Sequence, residues 1–243
     1  MATKKKADRG APPSASEVIA TLEGMANKSI RGGMARYGIP NDHALGISVG
    51  ALRALGKKLG KSQPLALELW ASEIYEARML ACFVGEADQL TSAQMDRMCR
   101  DFDNWAICDT AAFALFDRSP HALGRVKAWS SKKPEFEKRA AFALLASLAL
   151  HDKSASNEVF LKTLPLIERA ASDPRNFVKK GVSWALRSVG ARNVELHQAC
   201  LALAVKLAAS DDATERWIGK DAQRDLARAS VQKKVKARGT RSK

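Results

Sequence analysis

The chain is 243 residues long, 46% of them hydrophobic and 27% charged, which is ample material for a folded core in one long domain or two short ones. No stretch approaches the roughly 20 consecutive apolar residues of a membrane span, and the first residues lack the apolar segment of a signal peptide. The formal net charge of +14 indicates a polyanionic partner. We therefore expect a soluble cytoplasmic protein with no membrane partner.

The positive charge is unevenly distributed along the chain. Most of it lies in residues 1–10 and 231–243, and two internal segments, 125–139 and 171–192, are also basic. Residues 86–103 are acidic instead. Such polarisation is what a nucleic-acid-binding face with an acidic opposite side requires. Basic runs are also common on ordinary solvated surfaces, so the charge alone leaves both interpretations open.

The cysteines and histidines give no sign of a metal site. The four cysteines are scattered without a CxxC pair, which is typical of reduced, buried thiols rather than a disulfide framework or a zinc site. The four histidines are dispersed, and no nucleotide-binding loop or nucleophilic triad is present. We expect no metal and no cofactor.

Nearly all of the chain between its termini is predicted to be helical, because apolar residues recur at spacings of three and four. Breaks that contain proline or glycine divide it into about twelve helices. We predict a disordered basic tail over 1–13, a helical-repeat domain over 14–230 and a basic C-terminal tail over 231–243. The breaks lie at 38–41, 60–64, 119–120, 133–134, 173–174 and 190–193.

The even spacing of these breaks bears on the fold class, which we expect to be all-α. Helices joined by short links pair antiparallel, and pairs of roughly 35–45 residues in series describe an α-solenoid of the HEAT type with a concave surface wide enough for a duplex. A globular helical bundle is the alternative. Because the breaks are evenly spaced and no single hydrophobic helix dominates, we favour the solenoid.

The predicted helix over 105–116 contains one charged side chain, Asp109, in an otherwise almost wholly apolar run. Trp105 lies one helical turn before it, so an acid and an indole share a face. A carboxylate in such a run requires either an ion-pair partner or a chemical role. From the residues alone, an interhelical ion pair and a catalytic carboxylate are equally good interpretations of Asp109.

The predicted helix over 134–150 contains Arg139, which points away from the leucine stripe of that helix. Two small residues, Ala143 and Ala146, leave room beside the guanidinium. An arginine in this setting either pairs with a buried carboxylate, for which Asp109 is the candidate, or binds a phosphate. The sequence does not separate these two partners.

The predicted helix over 174–189 has Asp173 as its expected N-cap and Pro174 at its first position. Trp184 falls outside the apolar stripe of this helix, next to Lys180. An indole on a basic, polar face indicates contact with something outside the helix. Packing on a neighbouring helix is the alternative.

Three segments together resemble DNA alkylation repair proteins of the AlkD-like family: FDNWAICDT (102–110), FEKRAAFALLASLALHDK (136–153) and NFVKKGVSWALRSVGARN (176–193). The likeness extends from 36–60 to 215–227, which is nearly the whole chain between the tails. The resemblance implies a HEAT-like solenoid that holds duplex DNA in its concave face. It also implies excision of positively charged N3- and N7-alkylated purines, without turning the damaged base into a pocket.

The functional residues of that family fall by motif on Trp105, Asp109, Arg139 and Trp184. The resemblance implies that Asp109 stabilises oxocarbenium charge on the sugar and orients water, and that the two indoles face the cationic base. It implies that Arg139 holds a backbone phosphate. Further sequence-independent contacts to DNA are expected from four basic residues of one segment, Arg175, Lys179, Lys180 and Arg187.

One position departs from the family pattern. Many relatives have an aspartate directly after the first tryptophan, where this chain has Ala106. Some branches of the family bind unusual DNA structures without excising a base, so a non-catalytic binder of damaged or branched DNA is the alternative function. A helical-repeat protein that binds another protein is a third. We favour a monomeric glycosylase acting on double-stranded DNA with alkylated bases, because all four key residue types are present.

Overall fold

Helices and the turns between them make up the computed structural model, which describes residues 13–239. Over that range it contains no β-strand. Many of the helices begin at a side chain that accepts a hydrogen bond from the first turn, which satisfies an otherwise unpaired N–H group. These N-cap residues are Ser14, Asn27, Ser48, Ser62, Thr91, Asn104, Asn193 and Asp212.

The chain forms two compact units, the first of which ends at Glu86. In this unit α4 packs against α5 and α1, and α3 packs against α5. A buried carboxylate, Glu76, accepts hydrogen bonds from the backbone N–H groups of residues 45–47 and so holds the loop before α3. The helices of this unit are α1 (Ala15–Gly24), α2 (Lys28–Gly33), α3 (Val49–Leu59), α4 (Gln63–Ala71) and α5 (Tyr75–Val84), with a 3₁₀ helix over Met34–Tyr37.

The second unit begins at Ala87 and contains every residue assigned to the predicted functional site. Its helices are α6 (Ser92–Arg100), α7 (Trp105–Ala114), α8 (Ala122–Trp129), α9 (Glu135–His151), α10 (Asn157–Leu161), α11 (Leu164–Ala170), α12 (Asn176–Gly190), α13 (Val194–Ala208), α14 (Ala213–Leu226) and α15 (Ala229–Arg238). A 3₁₀ helix, Phe116–Arg118, follows α7.

Helix α9 is central to the second unit. It packs against α6, α7, α8 and α12, and every residue from Arg139 to Ala149 is buried. Small side chains along this helix, such as Ala143 and Ala146, allow neighbours on several sides to approach it closely. The central position of α9 explains how residues from α7 and α12 meet on its surface.

Side-chain hydrogen bonds between helices of the second unit recur at similar sequence separations. Arg139 bonds to the carbonyl of Phe177, Ser183 to Asp221, and Asn157 to Glu195, and each pair is separated by 38 residues. Other side-chain hydrogen bonds of the unit have different separations, such as 30 residues for Asp109 and Arg139. The shared separation of 38 residues agrees with stacked helix pairs of about 40 residues.

The start of α12 differs from the prediction. The helix begins at Asn176, its N-cap is Arg175, and Asp173 lies outside the helix. The carboxylate of Asp173 accepts hydrogen bonds from Arg175 and Lys138 instead of the first helical turn. Hydrogen bonds from two cations to this carboxylate are stronger than those from the backbone N–H groups that it was expected to cap, so the cations are its partners. The predicted start of α9, with two glutamates in its first turn after Pro134, is confirmed.

The two predicted tails lie partly outside the described residues. Residues 1–12 and 240–243 fall outside them, whereas part of the predicted C-terminal tail lies in α15. Val235 of this helix is buried, and Gln232 donates hydrogen bonds that reach His197 and the carbonyl of Leu226. Helix α15 therefore lies across the predicted boundary at residue 230.

All four cysteines are free and buried, as predicted. Burial raises the pKa of the Cys200 thiol to about 12, so this thiol is protonated at neutral pH. Within residues 13–239, no helix combines the length and the apolar composition that crossing a membrane requires.

Candidate active site

The first turn of α7 is positioned by a buried asparagine. The side-chain oxygen of Asn104 accepts hydrogen bonds from the N–H groups of Ala106 and Ile107, each at 3.0 Å. The amide nitrogen of the same side chain donates to Asp103 at 2.6 Å. Trp105 is therefore the first residue of α7, and it is partly exposed there. The position where relatives have an aspartate, Ala106, is buried.

One turn further along α7, Asp109 forms a bidentate ion pair with Arg139 of α9. The guanidinium Nε donates to one carboxylate oxygen at 2.9 Å, and Nη2 donates to the other at 2.7 Å. The side chain of Arg139 is 8% exposed and that of Asp109 is 18% exposed. Two parallel hydrogen bonds hold the plane of the carboxylate, while part of it still faces solvent.

The third guanidinium nitrogen also has a protein partner. Nη1 of Arg139 donates to the backbone carbonyl of Phe177 at 2.8 Å, and the guanidinium lies 5.9 Å from the ring centre of the same residue. The sequence allowed either a carboxylate or a phosphate as the partner of Arg139. In the structure the partner is Asp109, and all three nitrogens donate within the protein.

Burial and the contact between the two groups act in opposite directions on the pKa of each. Burial is the larger effect on Asp109 and raises the pKa of its carboxyl above its ordinary value, although the hydrogen bonds and charge of Arg139 act in the opposite direction. Burial lowers the pKa of the Arg139 guanidinium, but the hydrogen bonds and charge of Asp109 outweigh burial, and the net pKa is raised. As the pH falls, the pair therefore gains its proton on Asp109 while Arg139 stays charged.

Trp184 of α12 stacks on Phe113 of α7. The two ring centres are 4.9 Å apart and the rings are within 4° of parallel. Trp184 thus contacts a residue outside its own helix, and that residue belongs to a neighbouring helix. Phe113 follows Asp109 by one turn, so the stack places Trp184 on the same helical face as the carboxylate.

Phe113 is the residue of this site that the sequence interpretation missed. Its spacing of four residues from Asp109 was available as a signal, but the run around it is uniformly apolar and does not distinguish it from the core. In the structure it is only partly buried. Its ring also meets His151 edge-on, with centres 5.6 Å apart, and His151 contacts the buried carboxylate of Asp117 at 2.5 Å.

Substitution of Phe113 tests this aromatic support. Phe113→Ala is expected to reduce any activity that depends on Trp184 by about 2- to 10-fold, since an aromatic pair contributes about 0.5–1.5 kcal/mol beyond area burial. Phe113→Tyr keeps the ring and is expected to stay near wild type. The measurement is the single-turnover rate of each variant, and equal rates for the alanine and tyrosine variants would contradict the supporting role.

The four predicted DNA-binding residues have different surroundings. Arg175 donates to Asp173 and to the carbonyl of Lys133. The ammonium of Lys179 lies 5.1 Å from the ring centre of Trp217. Lys180 is exposed.

Arg187, the fourth of these residues, donates to the carbonyl of Ser183 and lies 3.4 Å from the carboxylate of Asp221. Its side chain is 31% exposed. Arg175 and Arg187 are thus held by acidic neighbours. Lys179 and Lys180 have no carboxylate within ion-pair distance among the described residues.

The fold and the site together define a class: a helical-repeat protein with a partly exposed carboxylate that is clamped by an arginine. The helix of this carboxylate also carries one tryptophan and the phenylalanine on which a second tryptophan stacks. The sequence matches the model of the family described as DNA alkylation repair enzyme over residues 18–226. The chain belongs to this family. No curated protein sequence matches it.

A solved structure shows the same architecture. One similar structure is described as representing "a new family of proteins related to the HEAT-like repeat DNA glycosylases with affinity for branched DNA structures". It has a TM-score of 0.71 and 19% sequence identity, over 87% of this chain and 95% of that one. The all-α, HEAT-like fold class is therefore confirmed.

A designed armadillo repeat protein in complex with a (KR)4 peptide also matches, at a TM-score of 0.34 and 16% identity over 78% of this chain and 80% of that one.

Proposed function

We propose that this protein is a DNA glycosylase that excises cationic N3- and N7-alkylated purines from duplex DNA by hydrolysing the N-glycosidic bond. The observation that carries the proposal is the carboxylate of Asp109. Two hydrogen bonds from Arg139 hold this carboxylate in one orientation, and it remains partly exposed. The same helix also carries Trp105 and Phe113, on whose ring Trp184 stacks.

The chemistry suits a carboxylate in a poorly solvated position. When the bond between C1′ of the deoxyribose and the purine nitrogen breaks, its electron pair leaves with the base and neutralises the alkylated ring. Positive charge develops on the sugar, and a negative charge beside it stabilises that transition state. Water then attacks C1′ and releases one proton to the solvent, which leaves a hydroxyl group on the sugar. Asp109 supplies the negative charge and orients this water.

We propose that Arg139 mainly positions the carboxylate, whereas the family resemblance implied that it holds a backbone phosphate. Three of its five N–H donors bond to Asp109 and to the carbonyl of Phe177. A backbone phosphate would then be contacted chiefly by other cations. Lys180 is suited to that contact because it is exposed, and Lys179 precedes it on α12.

Trp105 and Trp184 are proposed to face the damaged base. A cationic purine over an indole face gains about 0.5–2 kcal/mol from cation–π attraction. A neutral, undamaged purine lacks that term, so the two indoles favour the alkylated base. Because the leaving base is already cationic, the reaction needs no general acid, and the site as described requires only the one carboxylate.

A non-catalytic binder of branched DNA is the second candidate function. It is favoured by one observation, the description of a structurally similar protein as having affinity for branched DNA. In this chain, however, an acid, an arginine and two tryptophans occupy the positions of the glycosylase motif.

Release of a free base separates the two candidates. The protein is incubated with duplex DNA that contains a single N7-methylguanine, and the released base is quantified. Release supports the glycosylase. Tight binding to a four-way junction without any release would replace it with the branched-DNA binder.

The pH dependence of excision provides a further test. Asp109 acts as a carboxylate, and burial raises its pKa above the ordinary value of an aspartate. The single-turnover rate is therefore expected to fall as the pH is lowered, with the midpoint of the fall above that ordinary value. Spontaneous loss of the base is measured without protein and subtracted. A rate that is constant down to the ordinary carboxyl range would contradict the role of Asp109.

A further inference from the structure

A second cluster of basic side chains surrounds a cavity of about 310 Å³ beyond the end of α9. Three of its lining residues are basic, Lys153, Arg192 and Arg238. The other three are Ala155, Asn157 and Asn193. None of these residues is acidic. Arg139 lies near the start of α9, so the cavity is about 18 Å further along the helix at 1.5 Å per residue. It is therefore separate from the Asp109 site.

Arg192 forms a fixed wall of this cavity. Its Nη1 donates to the carbonyls of Ala149 and Asp152, each at 2.7 Å, and its guanidinium lies 4.0 Å from the ring centre of Phe160. The residue is 9% exposed, and its Nε is buried without a hydrogen-bond partner. A charged group that is this well anchored provides positive charge without needing to be ordered when a ligand binds.

Lys153 and Arg238 each use few of their N–H donors within the protein. Lys153 donates to the carbonyl of Leu150, and Arg238 donates to the carbonyl of Ala191 at 3.4 Å. An ammonium has three N–H donors and a guanidinium five, so most of them remain available. Neither side chain is within ion-pair distance of a carboxylate among the described residues.

The acids near the cavity already accept hydrogen bonds from protein groups, although the charge of Asp152 still acts on Lys153 and Arg192. Asp152 accepts hydrogen bonds at Oδ1 from the N–H groups of Ser154 and Ala155, and Glu195 accepts one from Asn157. Burial, followed by the positive charges of Arg238, Arg192 and Lys234, lowers the pKa of the Lys153 ammonium. Like charges therefore crowd this cavity, and an anion inside it would relieve their repulsion.

A neighbouring cavity of about 280 Å³ joins this cluster to the candidate active site. Arg238 lines both cavities, and the second one is also lined by Trp184, Arg187, Lys234 and one acid, Asp225. Asp225 lies 3.9 Å from Arg187, whereas Lys234 and Arg238 have no carboxylate within ion-pair distance among the described residues. A phosphate chain that passes Trp184 therefore meets these two cations on the way to the cluster beyond α9.

We propose that the cavity lined by Lys153, Arg192 and Arg238 is a phosphate-binding pocket that takes a backbone phosphodiester of DNA. A tetrahedral oxyanion matches an ammonium and two guanidinium groups, which bind it through charge-assisted hydrogen bonds. The DNA backbone is favoured over a free phosphate by the shared lining with the Trp184 cavity. The inference goes beyond excision and needs only that the chain binds DNA.

The test is the salt dependence of affinity for undamaged duplex. Lys153→Ala/Arg238→Ala leaves the anchored Arg192 in place, and losing one phosphate contact is expected to lower the slope of log K against log salt by about 0.9. Lys162→Ala/Lys206→Ala is the matched control. It also removes two positive charges, from exposed lysines that face Glu158 and Glu168, and is expected to keep the wild-type slope.

Titration with inorganic phosphate distinguishes the source of the ligand. Saturable binding to wild type but not to Lys153→Ala/Arg238→Ala, with an unchanged DNA slope, would keep the phosphate pocket and overturn the DNA backbone as its ligand. An unchanged slope together with no phosphate binding would overturn the pocket. Lys153→Gln/Arg238→Gln, which keeps longer aliphatic stems, repeats the test should the alanine variant unfold. Undamaged duplex is used, so the outcome is independent of excision.

Discussion

Asp109→Asn is expected to lower the rate of N7-methylguanine release by at least about 100-fold, the size of effect seen when one transition-state-stabilising group is removed from an enzyme. An asparagine keeps the volume of the side chain and one oxygen that accepts a hydrogen bond from Arg139. It lacks the negative charge that opposes the developing positive charge on the sugar. Affinity for the duplex is expected to be almost unchanged, because no cation is lost.

The control for this experiment is Asp211→Asn. Asp211 is exposed in the turn before α14, so its substitution makes the same change of net charge away from the site. The measurements are the single-turnover rate at saturating protein and the dissociation constant for the same duplex. An Asp109→Asn variant that releases the base at the wild-type rate would remove the carboxylate from the mechanism.

Arg139→Ala is expected to lower the free energy of unfolding by about 3–5 kcal/mol, because it leaves the carboxylate of Asp109 in a poorly solvated position without its partner. The carbonyl of Phe177 loses a donor as well. Excision is expected to fall at the same time, since the carboxylate is no longer held in its plane. Urea denaturation and base release are measured on the same variant, with the exposed Arg97→Ala as the control.

A double-mutant cycle shows whether the pair acts as one unit. Asp109→Ala/Arg139→Ala is expected to be less destabilised than the sum of the single substitutions, with a coupling energy in the range of 0.5–3 kcal/mol that contacting residues show. Activity is not expected to return in the double variant, because the carboxylate is absent. Additive effects on stability would contradict the ion pair. A variant Arg139→Ala that loses stability while keeping full activity would restrict Arg139 to a structural role.

Much of the helical architecture was predictable because local rules determine it. Apolar spacing of three and four residues indicates helices, and proline and glycine indicate where they stop. The predicted start of α9 is confirmed, with negative charge in its first turn. The prediction that Asp173 caps α12 was wrong. Its carboxylate bonds to Lys138, which lies 35 residues earlier in the chain, and not to the backbone of the first helical turn.

The candidate site also combines features that the local sequence predicts with features that depend on contacts between helices. Asp109 was identifiable because a lone charge in an apolar run requires an explanation, and Arg139 because it breaks the pattern of its helix. The partner of Arg139 could not be identified from the sequence, because a carboxylate and a phosphate both satisfy the hydrogen bonds of a guanidinium equally well. In the structure, two hydrogen bonds across helices α7 and α9 join its guanidinium to Asp109.

The sequence by itself determined the helices, the identity of the unusual acid and arginine, and the family likeness, because these depend on residue type and spacing along one helix. Only the tertiary structure decided the stacking of Trp184 on Phe113 and the meeting of Lys153, Arg192 and Arg238 around one cavity. Residues from different helices meet according to how those helices pack, and packing depends on the shapes of many side chains at once.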